Sequence, residues 1–180
     1  MMHKWIGWLT NLMKNLESPT TKRVDAADAV KASTYRNIMK TSKAGIDLIK
    51  QFEGCETKAY KCPAGVWTIG YGHIKGVKEG DVITEQQAED MLIAELDEYE
   101  GYINVNVALT LKQCQYDAMV SWVYNLGGGN LRSSTLLKVI NADDMDGVPA
   151  QMLRWNKANG KVLEGLTRRR QAEADMFSGN

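Results

Sequence analysis

The strongest constraint on this chain is a change of period at residues 53–73, which read EGCETKAYKCPAGVWTIGYGH. Upstream, Ser42 stands in an N-cap position, Ile46, Ile49 and Phe52 follow at helical spacing, and Gly54 supplies a stop signal. Glu53 is thereby placed at a helix C-terminus. Downstream the pattern becomes extended. Ala59 and Tyr60 lead into Cys62-Pro63-Ala64-Gly65, with proline and glycine at favoured positions of a type I turn, and residues 66–71 are rich in β-branched and aromatic side chains. The prediction is a helix that stops, a hairpin and a small antiparallel sheet.

Beyond the sheet the chain turns helical. Thr84-Glu85-Gln86-Gln87 has the form of a capping box and opens a helix with Ala88, Met91, Leu92, Leu96, Tyr99 and Ile103 along one stripe. Thr110-Leu111-Lys112-Gln113 repeats the device ahead of Cys114, Ala118, Met119 and Trp122. Further helices fit residues 134–140, 149–155 and 163–177, with the stretch NLGGGN at 125–130 and the pair Asn159-Gly160 as breaks. One helix, a small sheet and then a run of helices is an α+β order. Arg168-Arg169-Arg170 falls on the last helix, where consecutive residues point to different faces, so one arginine is expected to pair inward and the others to be solvated. Met145, Met152 and Met176 read as core or near-core residues.

The first 41 residues differ in character. Lys4, Lys14, Lys22, Arg23, Lys31, Arg36 and Lys40 outnumber Glu17, Asp25 and Asp28 there, although the whole chain balances 22 basic against 22 acidic residues. Trp5, Ile6, Trp8, Leu9, Leu12, Met13 and Leu16 have the spacing of a short amphipathic helix, expected either to dock on the body of the protein or to be partly disordered, since Gly7 and its shortness weaken it in isolation. The alternative is an interfacial helix, which opens to residues 1–16 a contact with an anionic membrane or lipopolysaccharide. The expected organisation is an amphipathic segment and linker at 1–41 and a domain at 42–180.

Several classes of function are disfavoured. The charge balance gives no electrostatic reason for a nucleic-acid partner. Cys55, Cys62 and Cys114 cannot all pair within one chain, and with His3 and His73 as the two histidines neither a disulfide scaffold nor a metal site is expected. Gly70-Tyr71-Gly72 and Gly127-Gly128-Gly129 lack the neighbours of a nucleotide loop, so no cofactor is expected. No apolar run approaches the roughly 20 residues that span a bilayer, and no cleavable signal peptide is evident.

The run at residues 53–73 closely resembles the phage-type lysozymes, or endolysins, whose signature is a glutamate at a helix end, a β-hairpin, and a threonine before a GYGH or GIGH tetrapeptide. The resemblance continues through most of residues 42–178. It includes Trp122-Val123-Tyr124-Asn125-Leu126-Gly127, which looks like the segment lining the family's cleft, and Gly165-Leu166 with Arg169, Arg170 and Glu173, which looks like its last-helix signature. It implies a small N-terminal lobe with the sheet and a larger helical C-terminal lobe. It also implies cleavage of the β-1,4 link between N-acetylmuramic acid and N-acetylglucosamine in bacterial peptidoglycan by a monomer. Such a protein would sit in the host cytoplasm before release to the periplasm and cell wall. The catalytic glutamate maps to Glu53 and the threonine to Thr68, and Cys62 occupies the position of the family's usual aspartate. Substrate contacts are expected at His73, Ile74, Tyr124 and Asn125, with a structural hydrogen-bonding role as the alternative for His73.

The chemistry can be read from the residues as well. Cleaving a glycosidic bond requires protonation of a poor leaving oxygen, so the acid must still hold its proton near neutral pH. The partial negative charge of a helix C-terminus and burial beneath the hairpin both act in that direction at Glu53. The Thr68 hydroxyl can orient a water. Cys62 can act as a thiolate stabilising positive charge on the sugar, as a base for the water, or as a nucleophile. A lytic transglycosylase needing one glutamate, and a silent peptidoglycan-binding protein, are the competing readings.

Overall fold

The computed structural model describes residues 38–180. The expected amphipathic segment at residues 5–16 lies outside the described residues. Helix α1 spans Lys43–Glu53; the Ser42 hydroxyl caps it by accepting from Ala44 N at 3.2 Å, and Gly54, at φ 68°, ends it with N–H to Lys50 O. The buried positions of α1 are Gly45, Leu48 and Ile49. Gly45 belongs to this set because α1 approaches the later helix at Asp117 so closely that a Cβ would lie 2.8 Å from Asp117 Cβ.

Strands β1 (Glu56–Lys61) and β2 (Trp67–Gly70) pair antiparallel, with Tyr60 opposite Thr68 and Lys61 opposite Trp67. The hairpin closes as expected on Cys62-Pro63-Ala64-Gly65: Gly65 N donates to Cys62 O at 2.8 Å and Cys62 N to Val66 O at 2.9 Å. Residues 81–83 lie along the other edge of β1 through Ala59 N to Asp81 O and Ile83 N to Thr57 O, both 2.9 Å.

Helix α2 (Glu85–Asn106) starts on the predicted capping box, with Gln87 N donating to Thr84 Oγ1 and Thr84 N to Gln87 Oε1. At 22 residues it runs about 33 Å and packs on β2, α3 and α4. Helix α3 (Gln113–Leu126) is buried continuously from Tyr116 to Leu126, as a central helix must be. Its start corrects the sequence expectation. Lys112, not Thr110, is the N-cap residue, its N–H reaching Gln115 Oε1 at 2.9 Å. Leu111 is buried just ahead of the helix, and the acceptor three residues past Lys112 fixes the first turn.

The expected break at 125–130 narrows to one residue, Gly127 at φ 83°. Helix α4 (Gly128–Ser133) begins directly after it, and Gly128 lies against the Tyr102 ring, where a Cβ would come within 2.4 Å. Helices α5 (Thr135–Asn141), α6 (Val148–Leu153) and α7 (Glu164–Ser178) follow near the predicted places, with a 3-10 turn at Met145–Gly147. The break at Asn159-Gly160 is a tight turn with φ 50° and 76°, and it joins a second small hairpin, β3 (Lys157–Ala158) and β4 (Lys161–Val162). Trp122 of α3, fully buried, meets Trp155 edge-on at 5.1 Å, and α7 lies along α3. This is the expected α+β architecture, a small sheet ahead of a larger helical body.

Residues 39–41 already belong to that body. Tyr116 OH and Asn104 Nδ2 donate to Met39 O, and Gln113 Nε2 donates to Lys40 O. The buried Glu100 Oε1 accepts from Thr41 N at 2.7 Å and Thr41 Oγ1 at 2.8 Å. Ser42 N and Oγ both donate to the buried Asp117.

Candidate active site

The end of α1 turns Glu53 inward. Its side chain is 8% exposed, and its Oε1 receives Arg169 Nη1 of α7 at 2.6 Å, across 116 positions of sequence. Arg169 is itself 4% exposed at the side chain. Burial alone would lower its pKa, but the charges of Glu53 and Glu173 outweigh that and hold it above the usual arginine value.

Tyr60, half-buried on β1, links two elements of the expected site. Its phenol lies within electrostatic reach of Glu53 and Cys62 and hydrogen-bonds Thr68, its strand partner. Burial first, and then the charges of Glu56, Cys62 and Glu53, push the Tyr60 hydroxyl far up, so it stays neutral. Cys62 is 3% exposed at the start of the turn, and Thr68 is fully buried, its hydroxyl donating to Val66 O at 3.1 Å. All three cysteines are free thiols; burial pushes the Cys55 thiol upward, with Tyr71 beside it acting in the opposite sense.

The four expected substrate contacts divide. His73 has both ring nitrogens engaged, Nδ1 with Glu95 Oε1 of α2 at 2.8 Å and Nε2 with Lys75 O at 2.9 Å. Ile74 follows it, half-buried. Tyr124 OH donates to Tyr71 O at 3.0 Å, tying α3 to the end of β2, and burial followed by the charges of Glu53 and Glu95 holds its pKa well up. Asn125 is buried and accepts Arg170 Nη2 at 3.1 Å.

The arginine run departs from expectation. Both Arg169 and Arg170 point inward, 3% and 0% exposed, and Arg168 remains at the surface on Glu164. The cause is the phase of α7, whose buried positions 169, 170, 173, 174 and 177 form one face against α3. Burial pushes Arg170 down to about 10, opposed by Glu173. The sequence reading missed Tyr60 and the partnership of Arg169 with Glu53. Counting back from the apolar pair Ala174 and Phe177 at helical spacing is the signal that could have found the arginine. Among the described residues no group of three or more His, Cys, Asp or Glu side chains is arranged to hold a metal, and no helix is long and apolar enough to cross a membrane.

The site can be compared with known proteins. The sequence profile described as Phage lysozyme matches residues 50–173. An endolysin of Acyrthosiphon pisum secondary endosymbiont phage 1 is 45% identical over 143 residues, covering 77% of this chain and 98% of the relative. A SAR-endolysin of bacteriophage PS119 is 36% identical over 154 residues, covering 85% of this chain and 90% of the relative. The solved structure of an endolysin from Escherichia coli O157:H7 phage FAHEc1 superposes with a TM-score of 0.73 at 38% identity, covering 79% of this chain and 96% of the other. With a glutamate at the end of α1 facing the hairpin and α7, this chain belongs to the phage lysozyme family of peptidoglycan-degrading endolysins.

Proposed function

We propose that the chain is a muramidase that hydrolyses the β-1,4 bond between N-acetylmuramic acid and N-acetylglucosamine, with Glu53 as general acid. The observation that carries this reading is the buried Glu53 at the C-terminal end of α1, in a family whose members are endolysins, with Tyr60 of the hairpin within its electrostatic reach and hydrogen-bonded to Thr68. Glu53 protonates the leaving oxygen, which no neutral hydroxyl in the site is acidic enough to do. Thr68 holds the attacking water, and Cys62 is the third member of the site, as a stabiliser of positive charge on the sugar, a base for the water or a nucleophile. His73, Ile74, Tyr124 and Asn125 shape the substrate cleft, His73 through its clamp on Glu95.

The catalytic domain acts as a monomer. The basic, tryptophan-bearing residues 1–16 contact an anionic membrane or lipopolysaccharide, and the protein leaves the host cytoplasm to act in the periplasm. Relatives named SAR-endolysins support export to that compartment.

Product analysis on purified peptidoglycan tests the reading. A hydrolase leaves reducing ends, whereas a transglycosylase leaves anhydro-muramic ends. The cysteine at the family's aspartate position favours the transglycosylase as the second reading, since that reaction proceeds on one carboxyl group. Reducing ends are expected. Anhydro ends would transfer the assignment to the second reading, and no cleavage at all would leave a binding protein.

A further inference from the structure

The interior between α1, α3 and α7 holds two carboxylates and two guanidinium groups: Glu53, Glu173, Arg169 and Arg170. Glu173 is fully buried, and its Oε1 accepts from three donors, Ser121 Oγ at 2.8 Å, Arg169 Nε at 3.1 Å and Arg170 Nη2 at 2.9 Å. Arg169 distributes its nitrogens in three directions. Nε goes to Glu173, Nη1 to Glu53, and Nη2 to Ser121 O at 3.3 Å. A guanidinium is planar and rigid, so fixing two of its nitrogens fixes the direction of the third. The nitrogen left to meet the acid is Nη1, and Glu173 and the Ser121 carbonyl decide where it points.

We propose that Glu173 is a positioning residue for the reaction, acting through Arg169 on Glu53. It aims Nη1 at Glu53 Oε1, and its negative charge shares the guanidinium that would otherwise act on Glu53 alone. The second effect matters because an unshared arginine 2.6 Å from a carboxyl favours the ionised form, the opposite of what a proton donor needs. This inference rests on Glu53 being the general acid.

Other groups around Glu53 do not substitute for Glu173. Tyr124 of α3 and Tyr60 of β1 both face Glu53, and burial keeps both phenols neutral. Arg170 adds a second positive charge from α7 within electrostatic reach of Glu53. Glu56 faces Tyr60, and Glu95 of α2 faces Tyr124. Among the described residues Glu173 is therefore the carboxylate in direct contact with Arg169 besides Glu53 itself.

The test is the pH–rate profile of peptidoglycan cleavage by the full chain and by Glu173→Gln, which keeps an acceptor oxygen for Ser121 and Arg169 while removing the charge. The alkaline limb of the profile should move to lower pH, giving about a tenfold lower rate at a fixed alkaline pH. KM should change little. Circular dichroism and a cooperative unfolding transition verify that the variant is folded. A folded Glu173→Gln whose limb coincides with the wild type overturns the proposal, even if its rate is uniformly lower, and reduces Glu173 to a structural residue. Should that variant fail to fold, Glu173→Asp carries the test. It keeps a charge but draws the carboxylate back from Arg169, and a smaller shift in the same direction is expected, with coincident limbs again overturning the proposal. Glu53→Gln run in parallel separates the two levels. An inactive Glu53→Gln with an unmoved limb in the Glu173 variants defeats this proposal alone, while an active Glu53→Gln defeats the acid assignment and this proposal with it.

Discussion

Arg169 Nη1 and Glu53 Oε1 lie 2.6 Å apart with both side chains below a tenth exposed, so α1 and α7 meet at the residue assigned to chemistry. The contact makes the site a tertiary product, since α1 ends at Glu53 and can place it only once α7 has docked. Removing one partner of a buried ion pair leaves the other without compensation, which costs about 3–5 kcal/mol. Arg169→Met should lower unfolding free energy by that order in urea titrations, because it strands Glu53 and leaves Glu173 to Arg170 and Ser121. A loss under about 1 kcal/mol would mean that the cluster tolerates its removal and that Arg169 does not organise it.

The cysteine at the family's aspartate position can be tested by charge. If Cys62 works as a thiolate, Cys62→Asp retains most activity and Cys62→Ala falls by about a hundredfold. Both belong in a Cys55→Ser, Cys114→Ser background, so that thiol reagents report on Cys62 alone. At 3% exposure Cys62 should react slowly with bulky reagents in the folded protein. Full activity of Cys62→Ala with reducing-end products would show the thiol to be dispensable.

The N-terminal boundary can be located by stability. A chain starting at residue 38 keeps Met39, Lys40 and Thr41, whereas one starting at residue 42 takes both Thr41 donors from the buried Glu100. Hydrogen bonds to a buried charge contribute about 1.5–3 kcal/mol each, so the shorter chain should unfold at clearly lower urea. Equal midpoints would place the domain edge after Thr41. Cleavage of isolated peptidoglycan should survive removal of residues 1–37, with lysis of intact cells falling selectively if the basic segment meets a membrane.

Stability should decline in alkali. Cys55 and the phenols of Tyr60, Tyr71, Tyr102, Tyr116 and Tyr124 are all pushed upward, mainly by burial. The unfolded chain releases these protons from their ordinary values of 9.0 and 10.0 upward while the folded chain retains them. The native state then binds more protons than the unfolded state, so unfolding free energy falls as pH rises through that window. Lys40 and Lys50, raised chiefly by hydrogen bonds to Asp97 and Glu89, add to the same trend, weakly because they are near the surface. Arg170, lowered by burial to about 10, opposes it. Urea midpoints should drop steadily from pH 8.5 to about 10.5; a flat or rising curve would contradict the burial of these groups.

What could be read from the sequence was local. The Ser42 cap, the Gly54 stop, the Thr84 capping box and the Cys62-Pro63-Ala64-Gly65 turn each depend on residues within a few positions of one another, and each forms as expected. Glu53, Cys62 and Thr68 stood out because the one short helix–hairpin run that carries them resembles the phage-type lysozymes. Arg169 and Glu173 did not, since their partners are 116 and 52 positions away and their burial depends on the phase of α7 against α3. Lys112 displaced Thr110 as the N-cap for a similar reason: Leu111 is buried ahead of the helix, a tertiary demand that spacing alone does not reveal. The inward turn of two arginines follows the same rule, because solvation is the default for a basic run until a carboxylate is known to await it.

The central claim is that Glu53 donates the proton, and the release of reducing ends from purified peptidoglycan by folded Glu53→Gln tests it most directly. The amide keeps the size of the side chain and can still accept from Arg169 Nη1, but it has no proton to give. The rate should fall by about a thousandfold, within the range that general acid catalysis supplies, while the urea midpoint stays close to that of the wild type or changes only modestly. A folded Glu53→Gln that releases reducing ends at near wild-type rate would contradict the account.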